Sequence, residues 1–195
     1  LTKAHHPLPG DETMHQQAAL ETERLHLRPL QLADADRVQE LAGEEAVYRT
    51  TLNVPHPYED GLAERWIADL APRYYDGRGA TWGIDLPGTG LIGCIGLGIT
   101  KPHARAELGY WIGVPWWGRS YCTEAARAMI GHGFSVMQLH KITATHMAGN
   151  PASGRVMQKV GMQQEGRLVD EVRKDGVFHT LVVYGILAKG SSRPT

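Results

Sequence analysis

The change of hydrophobic periodicity on either side of Pro115 is the feature that most constrains the fold. Apolar residues alternate with polar ones over 104–114, follow a helical period over about 120–138, and alternate again over 141–147. Strand, helix and strand in this order form a crossover within one sheet. The sequence therefore predicts a strand-helix-strand unit at the centre of the fold.

Further strands are predicted on both sides of this unit. Segments 81–86 and 91–98 alternate around a Pro-Gly-Thr-Gly turn, and segments 163–173 and 177–187 flank Asp175-Gly176, a hairpin signal. A short strand ending at Pro29 precedes them. The fold class predicted from these patterns is α+β, with a mixed central β-sheet flanked by helices on both faces.

Three more helices are predicted from their end signals. Asp34 should cap a short helix over 35–42. A longer helix should begin near Glu59, and Pro72 should end or bend it. Asn150-Pro151 is a strong helix start, a cap followed by proline at the first helical position.

Length and charge limit the function classes. The chain has 195 residues, 20 basic and 21 acidic side chains and a net charge of -1, so no global field attracts nucleic acid or anionic lipid. It has no apolar run near the roughly 20 residues of a membrane span. We expect a flexible tail over 1–19, a single domain over 20–190 and a tail over 191–195.

The number and spacing of the cysteines and histidines predict neither a disulfide framework nor a structural metal site. Cys94 and Cys122 are too few for a disulfide framework, and this usage indicates a reducing, cytoplasmic location. No Cys or His pair has zinc-like spacing in a supporting context, so no metal site is predicted.

The loop between the central strand and helix carries the main chemical signal. Residues 109–125 read GYWIGVPWWGRSYCTEA, with small residues at 118, 120 and 122. Such a loop can aim several backbone N–H groups at one point, while the helix N-terminus adds partial positive charge. This suits a diphosphate, and Gly118 would allow close approach. The residues alone leave an ordinary strand-to-helix turn open, and the motif is neither a Walker loop nor G-x-G-x-x-G.

This loop resembles the acyl-CoA pyrophosphate loop of the GCN5-related N-acetyltransferase (GNAT) superfamily, in particular its RimJ/RimL-type ribosomal-protein N-acetyltransferase branch. That branch typically shows E-x-G-Y-W-x-G-x-x-x-W-G-x-G-Y-x-T-E-A. Ser120 stands where the family prefers glycine, and Cys122 where alanine is usual. Four segments of this chain carry the resemblance in the family's order: 21–30, 107–125, 150–162 and 183–187.

The resemblance implies the GNAT acyl-CoA N-acyltransferase fold and a set of cofactor contacts. It places the pantetheine arm of acetyl-CoA against the splayed end of the strand, and the pyrophosphate at the loop. The residues implied in cofactor binding are Ile112, Gly113, Val114, Gly118, Arg119, Ser120, Tyr121, Cys122, Thr123, Asn150 and Ser153.

The resemblance also implies two catalytic side chains. Glu107 would accept the amine proton, directly or through water, with a structural carboxylate as the alternative. The tyrosine that many members carry seven residues after the asparagine is Met157 here, and the serine of the RimL-like branch is Ser153. Ser153 would hydrogen-bond the departing thiolate. The alternatives are a plain first-turn hydroxyl for Ser153 and a plain cap for Asn150.

The predicted function is N-acetylation of a primary amine by acetyl-CoA, by direct attack in a ternary complex. The acceptor stays open between a protein N-terminal α-amine and a small molecule such as an antibiotic, polyamine or amino acid. A non-catalytic acyl-CoA-binding module is the competing class, and a nucleotide-binding regulator is disfavoured. No nucleic-acid or membrane partner is expected, and the chain would be a monomer or a homodimer.

Overall fold

The computed structural model describes residues 17–189, and within them one mixed eight-stranded sheet organises the chain. The strand order is β1-β2-β3-β4-β5-β6-β8-β7. The strands are β1 (Leu20–Glu21), β2 (His26–Pro29), β3 (Gly79–Leu86), β4 (Gly90–Thr100), β5 (Arg105–Ile112), β6 (Lys141–Met147), β7 (Gln163–Lys174) and β8 (Val177–Leu187).

The central crossover is confirmed, and it contains the only parallel pair among these strands. β5 and β6 pair over three residues, from Arg105 with Lys141 to Glu107 with Thr143. Beyond Glu107, β5 continues to Ile112 bonded to β4 alone. The two central strands therefore separate and leave a gap in the middle of the sheet.

Helices cover both faces of the sheet, as the sequence predicts. Apolar residues of α1 (Ala35–Ala42) and α3 (Leu62–Tyr75) pack with Leu91 and Cys94 of β4 on one face. α4 (Tyr121–Ser135) packs against the opposite face, where Met129 and its neighbours join Ile142 in the main core. α5 (Pro151–Lys159) lies on that same face beside α4.

Three local expectations differ from the structure. A short helix α2 (Glu45–Thr50) has no counterpart in the sequence analysis. α3 begins at Leu62, after the left-handed Gly61, and continues through Pro72 to Tyr75. Asp34 precedes α1 but makes no side-chain cap, because its carboxylate accepts hydrogen bonds from Arg28 and from the Gln31 amide.

Part of the predicted N-terminal tail contacts the sheet. The Gln17 side-chain amide donates to the carbonyl of Thr81 at 2.6 Å, and the Trp82 indole donates to the carbonyl of Ala18 at 2.8 Å. Residues 1–16 and 190–195, which hold the rest of both predicted tails, lie outside the described residues. Between residues 17 and 189, no helix is long and apolar enough to cross a membrane.

Glu124 ties the first turn of α4 to the turn between β1 and β2. Its carboxylate accepts from the Thr22 hydroxyl at 2.7 Å and from the Arg24 amide at 2.8 Å, and it pairs with the Arg24 guanidinium at 2.6 Å. Burial by itself raises the pKa of Glu124, but these hydrogen bonds outweigh it, so the pKa lies below its ordinary value of 4.5. The start of α4 is therefore held by charge-assisted bonds.

We predict that Glu124→Gln lowers the free energy of unfolding by about 1–2 kcal/mol at pH 7. Because the folded-state pKa is depressed, this contribution is fully present above pH 4.5 and is lost as pH falls through the folded-state value. Denaturant titrations from pH 3 to 7 should show the stability difference between wild type and variant shrinking as the pH falls below 4.5. Glu45→Gln, which removes an exposed pair with Arg49, is the control and should change stability little at any pH. A Glu124→Gln deficit that is constant across this range would contradict the prediction.

Candidate active site

A cavity of about 830 Å³ extends from the loop before α4 to the gap between β5 and β6. Nine of the predicted site residues line it: Glu107, Ile112, Gly118, Ser120, Tyr121, Cys122, Thr123, Asn150 and Ser153. The other three lie outside its wall. Gly113 is buried and packs closely against Trp116 and Leu41, Val114 begins a 3₁₀ turn, and the Arg119 side chain is exposed.

The loop at one end of the cavity is shaped by two left-handed residues. Gly118 has φ +75°, and Ser120, the residue before α4, has φ +64°. The left-handed region costs a non-glycine residue such as Ser120 roughly 1 kcal/mol. A Cβ at Gly118 would meet no atom within 4 Å, so its absence leaves open space in front of the loop.

The amides of this loop and of the first turn of α4 are free to bind an anion. The backbone N–H groups of residues 118–123 donate no hydrogen bond to any acceptor within residues 17–189. The first amides of a helix have no intrahelical partner, and the helix dipole favours negative charge there. The residues present therefore fit a diphosphate, as the sequence predicts.

Basic side chains surround the loop, and of these only Arg119 is predicted from the sequence as a cofactor contact. The Arg24 guanidinium lies 4.6 Å above the Tyr121 ring and donates to the Arg119 carbonyl at 3.3 Å. Arg24, Arg127 and Lys159 line a second pocket of about 350 Å³ beside Ser120 and Thr123. These residues come from three separate elements, so no local pattern could have identified the group.

Cys122 acts as a small packing residue in this wall. A helix N-terminus can lower the pKa of a thiol and make it reactive. Burial instead raises the pKa of the Cys122 thiol well above the ordinary value of 9.0. The thiol therefore stays protonated at neutral pH.

Glu107 presents its carboxylate to the cavity from β5. The Thr145 hydroxyl of β6 donates to Glu107 Oε1 at 2.9 Å, across the point where the two strands begin to separate. Because side chains alternate along a strand, Glu107, Gly109 and Trp111 face the side covered by α3, while Ala106, Leu108 and Tyr110 face α4 and α5. Glu107 thus approaches the gap from the α3 side.

Ser153 approaches the gap from the opposite face. Asn150 caps α5, its Oδ1 accepting from the Ser153 amide at 3.3 Å, while its Nδ2 donates to the carbonyl of Thr50 at 3.1 Å. The Ser153 hydroxyl lies 2.9 Å from the Tyr110 hydroxyl. Met157 is buried in the core.

Tyr110 is a further functional candidate, which its residue type alone does not distinguish from a core residue. Its side chain lines the cavity and is half-buried, and burial raises its pKa well above the ordinary value of 10.0. Only the tertiary structure shows that its hydroxyl meets Ser153, 43 residues away.

The arrangement brings a carboxylate and a hydroxyl pair to one opening from opposite faces of a sheet. A carboxylate can accept a proton, and hydroxyls can stabilise a developing anion. In the described part of the chain, no group of three or more His, Cys, Asp or Glu residues is arranged to hold a metal ion. The carboxylate and the two hydroxyls offer proton transfer and anion stabilisation at the opening.

Comparisons with known proteins agree with this geometry. The family model described as acetyltransferase (GNAT) domain matches residues 24–163. The uncharacterized N-acetyltransferase YoaA of Bacillus subtilis is 33% identical over 171 residues, 86% of this chain and 96% of YoaA. The putative ribosomal N-acetyltransferase YdaF of the same organism is 29% identical over 171 residues, 86% and 93% of the two chains.

A solved structure shares the fold. Mycobacterium smegmatis RimJ, in complex with CoA-disulfide, superposes with a TM-score of 0.76 at 24% identity, over 87% of this chain and 84% of RimJ. The matched segment includes β5, the loop before α4 and α5. The chain thus belongs to the GNAT family and is an acetyltransferase that uses acetyl-CoA.

Proposed function

We propose that this enzyme transfers the acetyl group of acetyl-CoA to a primary amine by direct attack in a ternary complex. The observation that carries the proposal is the position of Glu107 and Ser153, which line one cavity from opposite faces of the sheet. Neither cysteine supports a covalent acetyl-enzyme, since burial raises the pKa of both Cys94 and Cys122 well above the ordinary value.

The cofactor end of the cavity is assigned to the loop before α4. Backbone amides of residues 118–123 hold the pyrophosphate, with Arg119 and the basic residues around the loop adding positive charge. The pantetheine arm enters the gap beside Ile112, where β5 has no β6 partner. Gly113 and Val114, which lie behind this wall, shape the turn that leads from β5 to the loop.

On the amine side, Glu107 is the general base. An ammonium group has no lone pair for attack, so its proton has to leave first. The Glu107 carboxylate accepts it, directly or through one water, while Thr145 holds Oε1 in place. Glu107 releases this first proton to solvent, and the amine nitrogen then forms a bond to the thioester carbonyl carbon. The ionised Glu107 carboxylate accepts the second proton, which the nitrogen loses after this addition.

On the thiol side, Ser153 stabilises the departing sulfur. Breaking the C–S bond leaves the electron pair on sulfur, and the N-terminal end of α5 favours that charge. The Ser153 hydroxyl adds one charge-assisted hydrogen bond. Asn150 contributes by fixing the first turn of α5, since both ends of its amide are engaged within the protein.

We predict that Gly118→Val weakens CoA binding by at least about tenfold, because a branched side chain would occupy the space in front of the loop amides. Isothermal titration calorimetry with CoA measures the change. Gly88→Val is the matched control: Gly88 has φ +78° and its Cβ would also meet nothing within 4 Å, but it lies in the β3–β4 turn. Both variants should lose similar stability, and equal CoA affinity in the two would refute the loop assignment.

We predict that Glu107→Gln lowers the acetylation rate by about 10²- to 10⁴-fold while CoA affinity stays near that of wild type. Glutamine keeps an oxygen for the Thr145 hydroxyl, so the fold should be retained. Thiol release from acetyl-CoA with an accepted amine, followed from pH 6 to 9, is the assay. Glu165→Gln is the control, since Glu165 pairs with Lys141 away from the cavity. A wild-type rate for Glu107→Gln across this range would exclude the base.

The charges of the cavity favour an acceptor with a single cationic group. Glu107 is the one acidic residue among the described residues that line it, whereas Arg73 and Arg155 are cationic, in addition to Lys159 at the cofactor end. A peptide α-amine brings one positive charge, but a polyamine would bring further ammonium groups among these cations. We therefore propose the α-amine of a peptide or protein N-terminus as the acceptor, in line with the similarity to YdaF, a putative ribosomal N-acetyltransferase.

We predict that a short peptide with a free α-amine and an amidated C-terminus is acetylated with a kcat/KM at least about tenfold above that of spermidine. Steady-state thiol release with both amines tests this. The N-acetylated form of the same peptide is the control and should release no thiol above background. A preference for spermidine would point to the small-molecule alternative, and CoA binding without turnover on any amine would favour the non-catalytic module.

A further inference from the structure

Tyr110 and Ser153 form a pair of hydroxyl groups inside the cavity. The Tyr110 hydroxyl lies 2.9 Å from Ser153 Oγ and 3.2 Å from the Ser153 carbonyl oxygen. Tyr110 projects from β5, and Ser153 lies in the first turn of α5, so the pair joins the two elements across the cavity. A phenol at this place is not needed to fill the core, because phenylalanine has the same ring.

The protons of this pair can be arranged in two ways. Each hydroxyl has one proton, and the Ser153 carbonyl can only accept. If Ser153 donates to Tyr110, its proton points away from the cofactor. If Tyr110 donates to Ser153 Oγ, the serine proton is free to point into the cavity, toward the departing sulfur.

The surroundings of Tyr110 favour the second arrangement while the reaction proceeds. Negative charge that develops on sulfur attracts the serine proton, and Ser153 Oγ then gains most from accepting a hydrogen bond on its other side. Burial disfavours the phenolate, so Tyr110 remains a neutral donor at any pH at which the enzyme would work. Tyr110 therefore acts through Ser153 and does not supply a net proton.

We propose that Tyr110 is a positioning residue whose hydroxyl turns the single proton of Ser153 toward the thioester sulfur. This inference rests on the proposed role of Ser153. Before this step, the C–N bond has formed and Glu107 has accepted the proton that the nitrogen lost. The C–S bond then breaks, and its electron pair stays on sulfur. Ser153 and Tyr110 keep their own protons and stabilise the thiolate by a chain of two hydrogen bonds, until the thiolate takes a proton from solvent.

A double-mutant cycle tests the inference. Ser153→Ala should lower kcat by roughly 10- to 150-fold, the effect of one charge-assisted hydrogen bond. Tyr110→Phe should lower kcat by about 3- to 10-fold, with the KM for acetyl-CoA unchanged. In the Ser153→Ala background, Tyr110→Phe should have no further effect on kcat, because its target is gone.

The control separates this role from a structural one. Tyr184 is a buried tyrosine whose hydroxyl accepts a hydrogen bond at 3.1 Å from Gln158, on the same helix α5. Tyr184→Phe should therefore lower the melting temperature about as much as Tyr110→Phe does, but it should keep the wild-type kcat. If Tyr110→Phe does not fold, Tyr110→Met provides the same removal of the hydroxyl with comparable apolar volume.

Two results would overturn the inference. One is a wild-type kcat in a folded Tyr110 variant. The other is an equal loss of kcat in the wild-type and Ser153→Ala backgrounds, which would show that Tyr110 acts independently of Ser153. A normal kcat in Ser153→Ala alone would instead refute the proposed function of Ser153, so the two failures can be told apart.

Discussion

The separation of β5 from β6 after Glu107 is the constraint on which the rest of the site depends. Three parallel pairs join the strands at one end, and antiparallel pairing to β4 and β8 keeps each strand in the sheet after they diverge. Each strand therefore keeps one hydrogen-bonded neighbour while a gap opens between them. The gap gives access from both faces, which is how a carboxylate on one face and hydroxyls on the other reach a single cavity.

The position of the cofactor loop depends on contacts that are distant in sequence. Gly118 and Ser120 give the loop its left-handed turns, but its place is set by Glu124, which bonds to Thr22 and Arg24 about 100 residues earlier in the chain. The same Arg24 covers Tyr121 and contacts the Arg119 carbonyl. One ionic cluster thus holds the first turn of α4 and places positive charge beside the free amides.

Long-range contacts also hold residues 50–54, which line the cavity. Asn150 bonds both to the Ser153 amide and to the carbonyl of Thr50, so the residue that caps α5 also holds the end of α2. From the β7–β8 hairpin, the Lys174 ammonium donates to the carbonyl of Thr51 at 2.6 Å. Residues 50–54 are therefore held by hydrogen bonds from α5 and from the hairpin, and Asn150 connects Thr50 to Ser153.

Local patterns in the sequence determined the elements and the chemical type of the site. Hydrophobic periodicity predicts β5, α4 and β6, and the Asn150-Pro151 start predicts α5. The small residues at 118, 120 and 122 indicate an anion-binding loop. These signals are local because backbone geometry and capping act between neighbouring residues. Helix α2 has only six residues and therefore lacks a strong local signal, and distant residues contact it, since Asn150 donates to the carbonyl of Thr50 and Lys174 to that of Tyr48. The Arg24–Glu124 cluster, the direction of the Asp34 carboxylate and the meeting of Tyr110 with Ser153 were decided only by the tertiary structure. Each of these contacts joins side chains from separate elements. The distances between these side chains, and how far they are buried, are fixed only when the sheet has formed.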